Sequence, residues 1–263
     1  MKTIHLSIEE VIFCFYSEGL FEQGQGLKQT YFPELTDEQL EFMLQISCRS
    51  LLAKDMVKYD QHVYKLKDEY KPYIQALNHA DYSLKAAKFV PGEQQQKSIH
   101  FHFTDKEIFS HKLLHDEQIH QISRMNSKDE VIEMLREFFV LKVFKGENEP
   151  LFVLDSEKFE ALLQAANESP EMIGEIIPPL DRKNGLVDDF INDLIARRGM
   201  MDSITQFEFD TGNQPELTEL VFIISGKNYI WWINGGIHNE FTLWIANNEM
   251  LKAVTSKVNR SLI

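Results

Sequence analysis

Two cysteines in 263 residues, Cys14 and Cys48, leave no room for a disulfide framework, and neither stands in a Cys-x-x-Cys pair of the kind that holds zinc or runs redox chemistry. Both fall in apparent helices and read as small core residues of a reducing compartment. Glycine is scarce, at 12 residues, and the phosphate-cradling turns GxGxxG and GxxxxGK[ST] and the serine elbow GxSxG are all absent. The Gly-rich run "INGGIHN" lies between two strand-like segments and reads as a hairpin turn. No apolar run approaches the roughly 20 residues of a membrane span. The N-terminal run Val11 to Phe15 is too short for the core of a signal peptide, so the expectation is a soluble, cytoplasmic protein with no removable leader. Positive charge is short as well: 27 Lys+Arg stand against 41 Asp+Glu, a net charge of -14. That balance disfavours nucleic-acid phosphates and anionic membranes, both of which reward clustered cations.

What the sequence does hold is a core, with 43% hydrophobic and 11% aromatic residues. Ser7 and Glu10 form a capping-box pair ahead of a first helix that ends near Gly19, and Thr36 with Gln39 repeats the signal ahead of a second. The "FEQGQGLKQTYFPE" stretch between them reads as a Gly- and Pro-punctuated loop. "DMVKY" and "VYKLK" around Asp60 to His62 read as a short hairpin, followed by a helix over Asp68 to His79. Four strand-like runs then lead to a helix capped by Ser127. Helices at "DSEKFEALLQAANESP" and "DRKNGLVDDFINDLIARRG" precede four more strands and a helix from Asn247 carrying Leu251, Val254, Val258 and Leu262. Strands in succession without βαβ alternation predict an α+β fold with antiparallel sheets. Its parts are an N-terminal helical, winged-helix-like segment (1–80), a first sheet and helix (81–145), a central helical bundle (146–200), and a second sheet with a C-terminal helix (201–263). The two sheet-plus-helix halves suggest a pseudo-twofold arrangement within one compact domain.

Three features invite chemistry. Five of the nine histidines lie between positions 100 and 120, and strand alternation puts His100 and His102 on one face, as a metal would require. Without a nearby cysteine, and with irregular spacing of His111, His115 and His120, they read as exposed histidines of an antiparallel sheet; the rival reading is a metal-dependent enzyme using His100 to His120. Carboxylate pairs such as Glu9/Glu10, Asp188/Asp189 and Glu208/Asp210 read as a solvated surface. All three tryptophans, Trp231, Trp232 and Trp244, fall in the last strands, and alternation sends Trp231 and Trp232 to opposite faces, one into the core and the other toward helices, solvent or a partner. A DNA-reading wing is the remaining alternative, as a regulatory protein. Yet residues 1 to 80 carry 8 basic against 12 acidic residues, and the segment Asp37 to Ala53 sets Asp37, Glu38 and Glu41 against a single Arg49.

The order of these parts resembles the EspG-type chaperones of type VII (ESX) secretion. The phrase Leu51 to Val57, the acidic turn at Asp60 and the segment Val63 to Leu77 match that family's helix-to-arm step, and "ELVFIIS", "NYIWWIN" and "EFTLWIA" with Leu251, Val254 and Val258 match its closing sheet and helix. Asp55 stands where the family has glycine, and "ANNEML" replaces a Pro-containing helix start, which points to a relative in a Gram-positive, type VIIb system. The resemblance implies a cytosolic, non-enzymatic chaperone or adaptor without a cofactor. Its partner would be a helical-hairpin export substrate, a WXG100-like protein or the N-terminal region of a toxin, kept soluble for secretion, with no nucleic acid and no direct membrane insertion. On aromatic clustering and that analogy, the expected partner surface comprises Phe207, Phe209, Trp231, Trp232, Trp244, the helical Phe190 and Leu194, and the Pro91 to Lys97 loop with Gln94, Gln95 and Gln96.

Overall fold

The computed structural model describes residues 2–90, 96–141, 146, 149–177, 185–209, 214–235 and 239–256. The chain opens with β1 (Thr3–Ser7), α1 (Ile8–Ser17), α2 (Phe21–Tyr31) and α3 (Asp37–Ala53), then β2 (Val57–Asp60), β3 (Val63–Leu66) and α4 (Lys71–Gln75). A meander follows: β4 (Tyr82–Lys88), β5 (Lys97–Phe103), β6 (Ile108–Leu114) and β7 (Ile119–Met125), leading to α5 (Lys128–Phe139). The rest is β8 (Phe152–Asp155), α6 (Ser156–Glu168), α7 (Ile173–Ile176), α8 (Leu186–Ala196), β9 (Asp202–Phe209), β10 (Pro215–Ser225), β11 (Ile230–Gly235), β12 (Glu240–Ile245) and α9 (Asn248–Ala253). This is an α+β fold with antiparallel strand pairing.

Two compact units divide the chain: Met1–Ser83, Ile99–Asn126 and Phe209–Gln214 form the first, and Leu84–Ser98, Ser127–Glu208 and Pro215–Ile263 the second. In the first unit the strands run in the order β1-β7-β6-β5, with Leu6 opposite His120 and His100 opposite His111. Their inner face packs Ile4, Leu6, Phe109 and Ile122 against Val11, Leu51, Tyr73 and Ile74 of the helices and the hairpin region. Both capping boxes form as the sequence indicates: Ser7 with Glu10 starts α1, and Thr36 with Gln39 starts α3. Glu10 does more than cap. Its carboxylate accepts from the Ser7 backbone N–H, from Ser50 Oγ at 2.7 Å and from Lys54 Nζ at 2.7 Å, so one buried anion ties the start of α1 to the end of α3. Such an anion tolerates burial because every one of these partners is a donor.

Segments 21–31 and 68–79 correct the sequence reading. Residues 21–31 form a helix where a loop is expected, and Gly24 is the reason a helix suits them: a Cβ there would lie 2.7 Å from the Tyr16 ring, so glycine lets α2 approach α1. The helix expected over Asp68 to His79 shrinks to α4, with Pro72 in its first turn. The β2–β3 hairpin stands as read, with Gln61 and His62 both at positive φ in its turn. Cys14 and Cys48 are buried and unpaired with each other.

The second unit orders its strands β4-β9-β10-β11-β12-β8. Four consecutive residues of β11, Ile230 to Ile233, are buried, which a strand shows only when both its faces are covered. On one face Trp231, Ile233, Ile224 and Leu243 pack against Phe159 and Leu162 of α6 and Phe190, Ile191 and Leu194 of α8. The Trp231 indole N–H donates to Asp193 Oδ2 at 2.7 Å, while Asp193 Oδ1 accepts the Lys227 backbone N–H at 3.0 Å. Gly226 completes this corner, because a Cβ there would fall 1.9 Å from Asp193 Oδ2. Asp193→Ala strips the acceptor from a buried indole and is expected to destabilise the protein by about 1–3 kcal/mol, read as a lower urea midpoint. An unchanged midpoint would show that the corner does not hold α8 to the sheet.

Candidate functional site

The residues expected to form the partner surface separate into two sets. Trp231 is 0% exposed and Trp232 2%, and Phe190 and Leu194 are buried in the α6–α8 cluster. The two tryptophans do take opposite faces, but both faces are covered, so the expectation that one of them stands open is corrected. The cause is local: Phe190 meets Trp231 edge-on at 5.6 Å, and Asp193 satisfies the indole nitrogen that would otherwise keep that ring near water. In the same unit Trp244, opposite Trp232 in the β11–β12 register, and Phe207 on β9 are half-buried, and Gln96 is exposed. Phe209, at the end of β9, is half-buried in the first unit. Gln94 and Gln95 lie outside the described residues.

A second constellation is better knit than its sequence spacing suggests. His100, His102, His111 and His120 share the inner face of the first unit's sheet, because His100 pairs with His111, and His120 lies on the neighbouring strand. Their ring centroids follow one another at 6.3, 5.8 and 5.1 Å from His100 through His102 and His111 to His120. His111 Nε2 and His120 Nδ1 are 3.0 Å apart and share one proton, so one ring donates and the other accepts; His102 Nδ1 meets Ser83 Oγ at 3.0 Å. The Nε2 atoms of His102 and His120 are buried with no hydrogen-bond partner among the described residues. The reading of these histidines as an exposed surface is therefore corrected: His120 is buried and the other three half-buried. Among the described residues, no group of three or more His, Cys, Asp or Glu side chains is arranged to hold a metal ion. His115, in the β6–β7 turn at positive φ, is exposed and apart from this cluster.

Burial and mutual repulsion both favour neutral imidazoles. Desolvation lowers the His102 pKa to about 3, with the His100 charge adding to it, and lowers His120 to about 4. His111 is driven well below the ordinary value by burial first and then by His102, His120 and His100. All three folded values lie below that of the unfolded chain, near 6.5, so the unfolded chain binds more protons in acid. Stability is thus fully present above about pH 6.5 and is lost as pH falls through 6.5 toward 4. The loss steepens with each of the three imidazoles that the unfolded chain protonates and the folded chain does not. Urea denaturation of wild type between pH 8 and pH 5 is expected to show that loss, and His111→Gln to flatten it by about one proton. Equal slopes for the two proteins would contradict the assignment.

Against known proteins, residues 3–255 match the family described as "Uncharacterised protein YfjC". YfjC of Bacillus subtilis (strain 168) is 40% identical over 257 residues, spanning 98% of this chain and the whole of that protein. Among solved structures, the type VII secretion system chaperone EspG5 of Mycobacterium tuberculosis, determined in complex with a PE25-PPE41 dimer, superposes with a TM-score of 0.61 over 97% of this chain and 94% of its own, at 7% identity. The fold is thus EspG-like, as the order of sequence elements indicates, and the bacillar relative fits a Gram-positive branch. By sequence, the chain belongs to the YfjC family.

Proposed function

We propose that the chain is a cytoplasmic, non-enzymatic chaperone or adaptor of type VII secretion that binds helical-hairpin export substrates, WXG100-like proteins or toxin N-terminal regions, and keeps them soluble. The single observation that carries this reading is fold likeness to EspG5 across nearly the full length of both chains. That warrant is an analogy of fold, and two features of the chain agree with it. No helix among the described residues is long and apolar enough to cross a membrane, and a net charge of -14 suits a carrier that must hold an aggregation-prone client in solution. An apolar hairpin tip needs a partly apolar surface to cover it. In the second unit Phe207, Trp244 and Gln96 retain surface to offer; Phe209, half-buried in the first unit, is proposed by itself. Trp231, Trp232, Phe190 and Leu194 support from within, and Gln94 and Gln95 belong to the same proposal.

Co-expression with a helical-hairpin substrate of the same host tests the reading. A complex that co-elutes in gel filtration and keeps the substrate soluble is expected, and Trp244→Asp is expected to weaken it about tenfold while leaving the far-ultraviolet spectrum unchanged. Substrate that stays soluble alone and never co-elutes would overturn the reading. In a second arm, Trp231→Asp is expected to unfold the protein, since it places a charge in the α8 contact.

A further inference from the structure

The first ten residues of α3, Asp37 to Ile46, include Leu40, Phe42, Met43, Leu44 and Ile46, yet none of the ten is buried. Phe42 is 61% exposed and Ile46 48%, one helical turn apart on the same stripe. Leu35, Phe42, Met43 and Ile46 line a groove of about 680 Å³ between this half of α3 and the start of α1. A stripe of this kind left open on a chain with so much charge marks a binding surface. The floor is fixed, because Glu10 links Ser7, Ser50 and Lys54 across it, so the two helices do not close over their own apolar residues. The rim is of one sign: Glu9 and Glu38 line the groove, and among the described residues no Lys or Arg does.

We propose that this groove docks an amphipathic helix of a protein partner, its apolar stripe seated on Phe42 and Ile46 and its Lys or Arg flanks facing Glu9 and Glu38. Complementarity decides the occupant. A second copy of the chain brings a net charge of -14 to an acidic rim and is repelled, whereas a helix with basic flanks gains both burial and attraction. The groove lies within the first unit and its argument uses none of the residues of the secretion reading, so the two proposals stand or fall separately.

The probe is a synthetic helical peptide of about 18 residues, with a leucine stripe and lysine flanks, titrated against the full chain by fluorescence anisotropy at low and moderate salt. A glutamate-flanked peptide with the same stripe is the control. Saturable binding of the lysine peptide, weakened about tenfold by Phe42→Ala with Ile46→Ala, is expected. Glu9→Gln with Glu38→Gln is expected to weaken it and reduce its salt dependence. Both pairs of residues are outside the core, and the thermal midpoint checks that each variant folds. Equal binding of the glutamate peptide, or binding indifferent to the Phe42 and Ile46 changes, would overturn the proposal. So would a concentration-dependent dimer in sedimentation that the Phe42 and Ile46 changes disperse, since the groove would then serve a second copy.

Discussion

The hydrogen bond from the Trp231 indole to Asp193 governs what the second unit can offer a partner. It ties α8 to β11, where Phe190 and Leu194 pack with Trp231, and helps make the strand with two adjacent tryptophans a core rather than a surface. A carboxylate so placed is satisfied on both oxygens, by the indole and by the Lys227 amide. It also restricts position 226 to glycine. What remains for recognition is the neighbouring strand, where Trp244 stands opposite Trp232 and is half-buried.

The first unit spends its polar groups differently. Glu10 is a buried charge surrounded by donors, and it fixes two helices that leave their apolar residues open to solvent. Deeper in the same unit, the histidines of the inner sheet face are held neutral by burial and by each other, a ladder whose rings stack at 5.1 Å between His111 and His120. Buried imidazoles with an unpaired nitrogen do little for stability at neutral pH. Their presence beside a largely apolar core makes the histidine face the acid-sensitive part of this unit.

Much of the fold was legible in the sequence, and the misses have physical causes. Capping boxes at Ser7 and Thr36 and the Asn247 cap announce their helices because cap chemistry is local. Helix α2 was hidden by Gly24 and Gly26, which weaken helix propensity; only the tertiary approach of Tyr16 explains the first of them. Strands β1 and β8 escaped notice because each is short and runs directly into a helix. The candidate site was less legible. Alternation placed Trp231 and Trp232 on opposite faces correctly, but no periodicity reports that both faces of a strand are buried. The histidines show the same limit: the shared face of His100 and His102 follows from spacing two apart, whereas the meeting of His111 with His120 depends on strand register, which the intervening turn sets. The open half of α3 had no separate signal, since Leu40, Met43 and Leu44 look like any core stripe until no described residue is seen to bury them.

The account centres on a protein that acts by holding another chain. Affinity purification of the tagged protein from its native host, with deletion of its gene in parallel, addresses this most directly. A small helical-hairpin export protein or the N-terminal part of a toxin is predicted to co-purify in stoichiometric amount, and in the deletion strain that protein should move to the insoluble fraction and vanish from the medium. Recovery of the protein without any such client, with secretion and client solubility unchanged in the deletion strain, would contradict it.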